Sequence, residues 1–223
     1  MNMELPVKIL SKEKVTHNVN RFQLEKPGDY HFIPGQATEV SINKPGWIEE
    51  KRPFTFTSLN SDPFLEFTIK SYSDHSGVTH ELSKLKLGDE LIVRDIWGAI
   101  EYKGPGYFIA GGAGVTPFIA ILRDLKTKYM LHGNKLFFSN KTSADIILKE
   151  EFEDMLGENF INTLTAREEK GFLFGMINEK FLVKHVTNFG AHFYVCGPPN
   201  MVEALQSILG KLGASADSVV FEK

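Results

Sequence analysis

Hydrophobic and polar positions divide the chain into a first half of short strands and a second half in which strands alternate with helices. In the first half, residues 19–24 alternate between apolar and polar side chains with a period of two, as a half-buried strand does. Further strands are predicted at residues 37–42, 54–58, 65–69 and 91–93, between turn signals such as Pro27-Gly28 and Pro34-Gly35. One helix is predicted at residues 78–85. Short strands at this spacing are typical of an all-β barrel or sandwich.

The composition changes at Lys103-Gly104-Pro105-Gly106, and a different pattern follows. Apolar segments with strand character then alternate with segments of helical periodicity. The strands are predicted at residues 107–110, 136–139, 160–164, 193–195 and 219–221, and the helices at residues 118–128, 144–156, 178–184 and 199–212. Ser143 and Asn178 are expected to cap two of these helices. The alternation predicts a doubly wound parallel sheet, so we expect two domains, at residues 1–103 and 104–223.

Composition and charge exclude several classes of protein. Of the 223 residues, 42% are hydrophobic and 24% are charged, as in soluble globular proteins, and the net charge of −3 argues against nucleic-acid binding. The single cysteine, Cys196, excludes an internal disulfide framework and a cysteine-ligated iron–sulfur cluster, and the histidines lack metal-ligand spacing. Residues 1–10 lack an apolar signal core, which predicts a cytoplasmic protein. The uncharged stretch between Lys103 and Arg123 is broken by prolines and glycines, so no membrane span is expected.

A glycine-rich turn, Gly111-Gly112-Ala113-Gly114-Val115-Thr116-Pro117, joins a predicted buried strand to a predicted helix. Glycines let backbone N–H groups approach an anion closely, and a helix N-terminus attracts negative charge. The spacing departs from the dinucleotide-binding pattern Gly-x-Gly-x-x-Gly, and alone the stretch is an ordinary strand-to-helix turn. A second stretch, Cys196-Gly197-Pro198-Pro199-Asn200-Met201, repeats the arrangement. Two strand ends of one sheet that each turn sharply into a helix form the floor of a ligand-binding crevice.

Two stretches of the first half contain residue types that bind a pyrophosphate. In Arg52-Pro53-Phe54-Thr55-Phe56-Thr57-Ser58, the arginine offers a planar fork to phosphate oxygens, and an aromatic side chain can lie against a ring system. In Ser76-Gly77-Val78-Thr79, Gly77 permits a close turn, Thr79 can cap the helix, and the helix start can receive a second phosphate. Taken alone, the two stretches are better explained as a core strand and a plain capped helix. Together they fit a pyrophosphate.

The four motifs in this order resemble the ferredoxin–NADP(+) reductase family, in its compact form of a flavin barrel followed by a nicotinamide-nucleotide domain. The likeness covers essentially the whole chain and rests on the succession Arg-Pro-x-Thr, Gly-Val-Thr, Gly-Gly-x-Gly-x-Thr-Pro and Cys-Gly-Pro-Pro-x-Met. It implies an antiparallel Greek-key β-barrel that binds FAD, followed by a doubly wound α/β domain that binds NADPH or NADH. It also implies an oxidoreductase that transfers a hydride from NAD(P)H to FAD and then single electrons to a protein acceptor.

The resemblance implies a set of FAD contacts in the first half. Arg52 would bind the pyrophosphate, Phe54 would lie beside the flavin–ribityl region, and Thr55 would lie near the redox-active nitrogen of the ring. Further contacts implied in the same way are Pro53 in the first motif, Gly77, Val78 and Thr79 at the pyrophosphate, and Ile69, Lys70 and Tyr72 around the FAD. Phe54 stands where many members have a tyrosine, so a hydroxyl contact to the flavin is missing.

The resemblance also implies the nucleotide contacts. Gly112, Gly114, Thr116 and Pro117 would cradle the nucleotide, and Cys196, Gly197 and Pro198 would line the nicotinamide pocket, with Met201 packed behind. The residues implied in catalysis are Thr55, Thr116, Cys196 and Glu222, although Cys196 is equally well explained as a small buried strand-end residue. Many members end in an aromatic residue that covers the flavin, whereas this chain stops at Phe221-Glu222-Lys223. Either Phe221 substitutes, or the flavin face is open, or a residue is lacking.

Nucleotide preference depends on Arg167. Its surroundings, Leu164-Thr165-Ala166-Arg167-Glu168, resemble a Ser-Arg-Glu stretch that grips the 2′-phosphate of NADPH in some members, and Ser139, Asn140 and Lys141 could add to that pocket. Arg167 is equally well explained as a solvated loop charge, and Asp145 would repel a phosphate. Both NADPH and NADH therefore stay open, with NADPH slightly favoured.

The electron acceptor has no motif of its own. The resemblance implies a small carrier, ferredoxin or flavodoxin, or an oxygenase component. An alternative is a flavoprotein electron-transfer subunit of a larger complex that does not oxidise nicotinamide nucleotides. The intact glycine turn at Gly111–Pro117 favours nucleotide binding.

Overall fold

The computed structural model describes residues 3–72, 77–98 and 100–221. The chain separates into two compact units, one that ends at Glu101 and one that begins at Tyr102. No described helix is both long enough and apolar enough to cross a membrane.

The first unit is an antiparallel barrel. Its strands are β1 (Glu4–Thr16), β2 (Val19–Glu25), β3 (Ala37–Ile42), β4 (Arg52–Thr55), β5 (Phe64–Lys70) and β6 (Glu90–Trp97), and its helix is α1 (Val78–Leu82). The sheet order is β4-β3-β6-β1-β2-β5 with antiparallel neighbours. Just past β4, Phe56 forms an antiparallel bridge with Phe67 of β5, and this bridge joins the two outer strands. The prediction of an antiparallel barrel is therefore confirmed.

The barrel core is aromatic where the sheet closes. Phe56 is fully buried, its ring stacks on Phe32 with a centroid distance of 4.1 Å, and it lies 5.1 Å from the ring of Phe67. The buried Arg94 guanidinium donates to the Glu4 carboxylate and to the Ser41 hydroxyl. These bonds satisfy a charge that would be costly to bury alone.

The second unit is a parallel sheet with helices on both faces. Its strands are β7 (Gly106–Gly111), β8 (Lys135–Asn140), β9 (Phe160–Leu164), β10 (Leu173–Phe174), β11 (His192–Cys196) and β12 (Val219–Phe221). Its helices are α2 (Thr116–Thr127), α3 (Lys149–Leu156), α4 (Glu179–His185) and α5 (Pro199–Lys211). The strand order is β10-β9-β8-β7-β11-β12, and all neighbours are parallel. Successive side chains of β8 point to opposite faces of the sheet. Phe137 packs with α4 and α5, whereas Phe138 contacts Phe152 of α3. The doubly wound parallel sheet is confirmed.

The predicted helix at residues 144–156 is wrong in its first part. A three-residue 3-10 turn covers Ser143–Asp145, and α3 starts only at Lys149, because Leu148 adopts a left-handed conformation with φ of 51°. Ser143 is not a cap, since Thr142 and Asp145 form the capping box of this turn. The Asn178 cap is confirmed, because its side chain accepts a hydrogen bond from the backbone N–H of Phe181.

Candidate functional site

The glycine-rich turn leads from β7 almost directly into α2. Residues Gly112–Val115 form a 3-10 turn, and α2 begins at Thr116 with Pro117 in its first turn. Gly112 has a φ of 52°, and a β-carbon there would meet no atom within 4 Å. The Thr116 hydroxyl donates to the carbonyl of Ala113 at 3.0 Å, which fixes the tight entry into the helix. Gly112 thus leaves backbone open at the N-terminus of a buried helix, where anions bind well.

The two strand-to-helix turns of the second unit pack against each other. Cys196 of β11 lies beside Ala110 of β7 in the parallel ladder, so the two turns leave the sheet side by side. A β-carbon on Gly114 would lie 2.4 Å from the carbonyl oxygen of Cys196, and one on Gly111 would lie 2.6 Å from the Met201 sulfur. The sequence therefore needs glycine at these two positions for contact between the turns, whereas Gly112 faces open space.

The second turn follows directly on the single cysteine of the chain. Cys196 is 3% exposed and is the last residue of β11. Pro198 is the N-cap of α5, and a β-carbon on Gly197 would lie 3.1 Å from the backbone nitrogen of Gly111. Met201, in the first turn of α5, is half-buried, and its sulfur lies next to Gly111 and Gly197. The predicted nucleotide residues of this half, apart from Arg167, thus converge on the adjacent ends of β7 and β11.

Arg167 lies at the ends of β8 and β9, in the loop after β9. Its Nε donates to the Glu169 carboxylate at 3.0 Å, and its side chain is 70% exposed. Glu169 also accepts from the Ser143 hydroxyl, and the Ser143 and Arg167 bonds hold the pKa of Glu169 below its usual range. Asp145, which the sequence suggested as the repulsive charge, accepts from the backbone N–H and the hydroxyl of Thr142. Sequence reasoning missed Glu169, because only the fold brings it to Ser143.

In the first unit, the arginine motif forms β4 and the turn after it. The Arg52 guanidinium is exposed at the strand start, where it donates to the Lys51 carbonyl and lies 3.6 Å from the Glu50 carboxylate. Pro53 is exposed, whereas Thr55 is buried. The Phe54 ring is half-buried and packs on the barrel core, 6.4 Å from the ring of Phe67.

The glycine–threonine motif starts α1, which packs against β3, the neighbour of β4. Gly77 is the N-cap residue, and the described residues supply no side-chain cap there. The expectation that Thr79 caps the helix is wrong, because Thr79 lies inside it. Val78 is buried against the barrel core.

The remaining predicted residues of the barrel lie at the end of β5. Ile69 is a core residue, the Lys70 amine lies 5.9 Å from the ring centroid of Tyr72, and Tyr72 is exposed. Glu222 and Ser76 lie outside the described residues. Phe221 is the last residue of β12 and pairs with Val195.

The described residues of the first unit fit the pyrophosphate of FAD, and those of the second unit fit a nicotinamide nucleotide. Arg52 presents a guanidinium held only by a backbone carbonyl and by an exposed carboxylate among the described residues. A β-carbon on Gly77 or Gly112 would meet no atom within 4 Å, so the backbone at both positions is open to a ligand. Open backbone at the start of a helix and an exposed guanidinium are both groups that bind phosphate.

Comparison with known proteins matches both halves of the chain. Residues 6–102 match the family described as Oxidoreductase FAD-binding domain, and residues 108–207 match the Oxidoreductase NAD-binding domain. NADH-cytochrome b5 reductase 1 of Eremothecium gossypii is 30% identical over 233 residues, which cover 92% of this chain and 78% of the relative. The inducible NADH nitrate reductase 1 of Glycine max is 29% identical over 249 residues, and this chain spans only 28% of its length.

Solved structures share the fold. The ferredoxin NADP+ reductase of Neisseria gonorrhoeae with bound FAD and NADP superposes with a TM-score of 0.86 at 20% identity, and the match covers 98% of each chain. The two family matches, with the relative from Eremothecium gossypii, show that the chain belongs to the ferredoxin–NADP(+) reductase-like family of oxidoreductases, and the solved structure has the same fold. Its cofactors are FAD and a nicotinamide nucleotide.

Proposed function

We propose that this protein transfers a hydride from NAD(P)H to FAD and then passes single electrons to a protein acceptor. Residues 1–103 would bind FAD and residues 104–223 would bind the nucleotide. FAD supplies the redox chemistry when bound, because it accepts two electrons together and can release them one at a time. The chain's own residues bind, orient and shield the reacting groups.

The observation that carries the proposal is the contact between the two turns of the second unit. Gly111 and Gly114 lack side chains where Met201 and the Cys196 carbonyl approach, so the ends of β7 and β11 form one continuous backbone surface. A non-oxidising electron-transfer subunit would not need this surface with Gly112 open beside it. Placement of a nicotinamide ring to within a fraction of an ångström is what such a rigid surface provides, and proximity dominates hydride transfer.

Individual residues then take separate tasks. Arg52, with Gly77 and Val78 at the start of α1, would hold the FAD pyrophosphate, and Thr55 would lie near the flavin ring. The backbone at Gly112, with Thr116 and Pro117 fixing the helix start, would hold the nucleotide phosphates. Cys196, Gly197 and Pro198 would border the nicotinamide, and Glu222 stays a prediction from the family resemblance.

For the acceptor we propose a small electron carrier, ferredoxin or flavodoxin. The relative from Eremothecium gossypii is named for cytochrome b5, so a small haem protein is a second candidate. An oxygenase component is a third candidate, since a solved structure with the same fold is a ferredoxin reductase in carbazole 1,9a-dioxygenase. Steady-state assays with each purified carrier, at matched flavin concentration, would rank them.

An anaerobic absorbance titration with NADPH and NADH in separate cuvettes tests the central claim. We expect a yellow protein that is bleached rapidly by at least one of the two nucleotides. A yellow protein that neither nucleotide bleaches would support the electron-transfer subunit instead. A colourless protein that stays colourless after addition of FAD would remove the proposal altogether.

A further inference from the structure

At the ends of β8 and β9, the carboxylate of Glu169 accepts hydrogen bonds from a set of groups that could also bind an anion. Glu169 Oε1 accepts from Arg167 Nε at 3.0 Å and lies 3.4 Å from the backbone nitrogen of Ser143. Its other oxygen, Oε2, accepts from the Ser143 hydroxyl. A guanidinium, a hydroxyl and a backbone N–H converging on one point form a set that also suits a phosphate group.

The backbone holds these groups together although they come from different loops. The Thr165 N–H donates to the Asn140 carbonyl at 2.9 Å, and the Ala166 N–H donates to the Lys141 carbonyl at 3.0 Å. The loop after β9 is thereby joined to the loop after β8, which contains Ser143. The convergence therefore follows from main-chain pairing rather than from the flexible ends of the side chains alone.

We propose that Glu169 sets the preference between NADPH and NADH, because it competes with the 2′-phosphate for Arg167 and Ser143. The inference rests on the proposed function, in which the nucleotide binds at the carboxyl ends of β7 and β11. The cluster lies at the ends of β8 and β9, and β8 is the neighbour of β7 in the same sheet. NADPH differs from NADH only by that phosphate. Binding NADPH in this position requires Glu169 to release both partners, whereas binding NADH does not.

Because Arg167 is exposed, the Glu169 carboxylate and the 2′-phosphate would bind it with similar free energies. The Arg167 side chain is 70% exposed and that of Glu169 is 19% exposed, and ion pairs at such positions contribute little net stability. A doubly charged phosphate can therefore displace the carboxylate, at a cost that lowers its apparent affinity. Removing the carboxylate should strengthen binding of the 2′-phosphate by about three- to tenfold.

The test measures binding of 2′,5′-ADP, 5′-AMP and inorganic phosphate by calorimetry, with the full-length, FAD-loaded protein. Glu169→Ala should bind 2′,5′-ADP about three- to tenfold more tightly than the wild type, with 5′-AMP unchanged. Glu169→Gln keeps the shape and an acceptor for Ser143, so it should show a smaller gain in the same direction. Glu168→Ala removes the same charge from the exposed neighbouring residue and should leave all affinities near wild type. The gain should vanish in the double variant Arg167→Ala/Glu169→Ala.

Several outcomes would overturn the inference. Equal gains in Glu168→Ala and Glu169→Ala would reduce the effect to general charge, without competition for Arg167. Tighter binding of inorganic phosphate with no change for 2′,5′-ADP would place the anion position out of reach of the nucleotide. If 5′-AMP binds normally while 2′,5′-ADP is insensitive to every variant, this inference fails and the proposed function stands. If the wild type binds neither 5′-AMP nor 2′,5′-ADP, the proposed function fails with it.

Discussion

Gly114 and Cys196 lie so close that a β-carbon on the glycine would be 2.4 Å from the cysteine carbonyl oxygen. It would also lie 2.5 Å from the carbonyl carbon and 2.6 Å from the nitrogen of Gly197, and backbone atoms cannot move aside as a flexible side chain can. The two turns are thus locked together by main chain. Anything that separates them should affect the nucleotide site before it affects the barrel.

Gly114→Ala tests this lock. The extra methyl group must push the two turns apart, so we expect the free energy of unfolding to fall by about 1–3 kcal/mol and nucleotide binding to weaken, with FAD content unchanged. Gly210→Ala in α5 is the matched control, because a β-carbon there meets no atom within 4 Å, and it should be neutral or stabilising by about 0.5–1 kcal/mol. Urea unfolding and NAD(P)H titration measure both. Similar behaviour of the two variants would disprove the lock.

Cys196→Ser tests whether the thiol takes part in the reaction. The residue is 3% exposed at the end of β11, so serine fits by volume but changes the polarity at the proposed nicotinamide position. We expect slower reduction of the flavin by NAD(P)H, measured by stopped-flow absorbance, while FAD stays bound. An unchanged rate would leave Cys196 with a packing role only.

Arg52→Lys tests the proposed pyrophosphate contact. Lysine keeps the charge but loses the planar fork, and the described partners of Arg52 are a backbone carbonyl and the exposed Glu50. We expect a purified protein with clearly reduced FAD content, by the absorbance ratio of flavin to protein, and with unfolding of the FAD-free form unchanged. Lys14→Arg, at an exposed position of β1, is a control for surface substitution and should retain FAD. Full FAD occupancy in Arg52→Lys at low added FAD would contradict the assignment.

Two buried asparagines near opposite ends of β8 should respond differently to the same substitution. Asn134 is 1% exposed, donates to the Met130 and Leu131 carbonyls and accepts from the Gly106 N–H. Asn140 is 5% exposed, and its side-chain nitrogen and oxygen have no hydrogen-bond partner among the described residues.

Asn134→Leu should therefore destabilise the protein by about 2–4 kcal/mol, since it leaves buried partners unsatisfied, whereas Asn140→Leu should be close to neutral or stabilising. Chemical unfolding of both variants measures the difference. Equal losses would show that Asn140 is satisfied in solution, for example by a buried water molecule.

The sequence predicted the two sheets well because their signals are local. Alternation with period two and apolar runs before glycine turns are both read within a few residues, and β3 was placed at its observed bounds. The 13-residue strand β1 was not predicted, since Lys12, Glu13 and Lys14 interrupt its apolar pattern. Strand β10 was missed because it has only two residues, both exposed.

The geometry of the candidate site could be predicted from the sequence only in part, because it depends on contacts between distant residues. The motifs located Arg52, Gly112 and Cys196, but the reason for Gly114 lies in another turn 82 residues away along the chain. The contact between Ser143 and Glu169 likewise joins residues 26 positions apart. Asp145 looked like the acid beside a phosphate, and it instead completes a capping box, because Thr142 precedes it by three residues.

The bridge between Phe56 and Phe67 also affects which sheet edges can pair with a second chain while the protein folds. It brings the two ends of the first sheet together at one point, where the Thr57 N–H also donates to the Glu66 carbonyl at 2.8 Å, so fewer backbone groups there stay free to pair with a second chain. The parallel sheet keeps two outer strands, β10 and β12, and the side chains of Leu173 and Phe174 in β10 are exposed. Those strands have only two and three residues, which limits pairing with other chains. Pairing with a second chain at the edges of the parallel sheet is therefore confined to two or three residues, and the exposed side chains of Leu173 and Phe174 are the apolar groups that such pairing would cover.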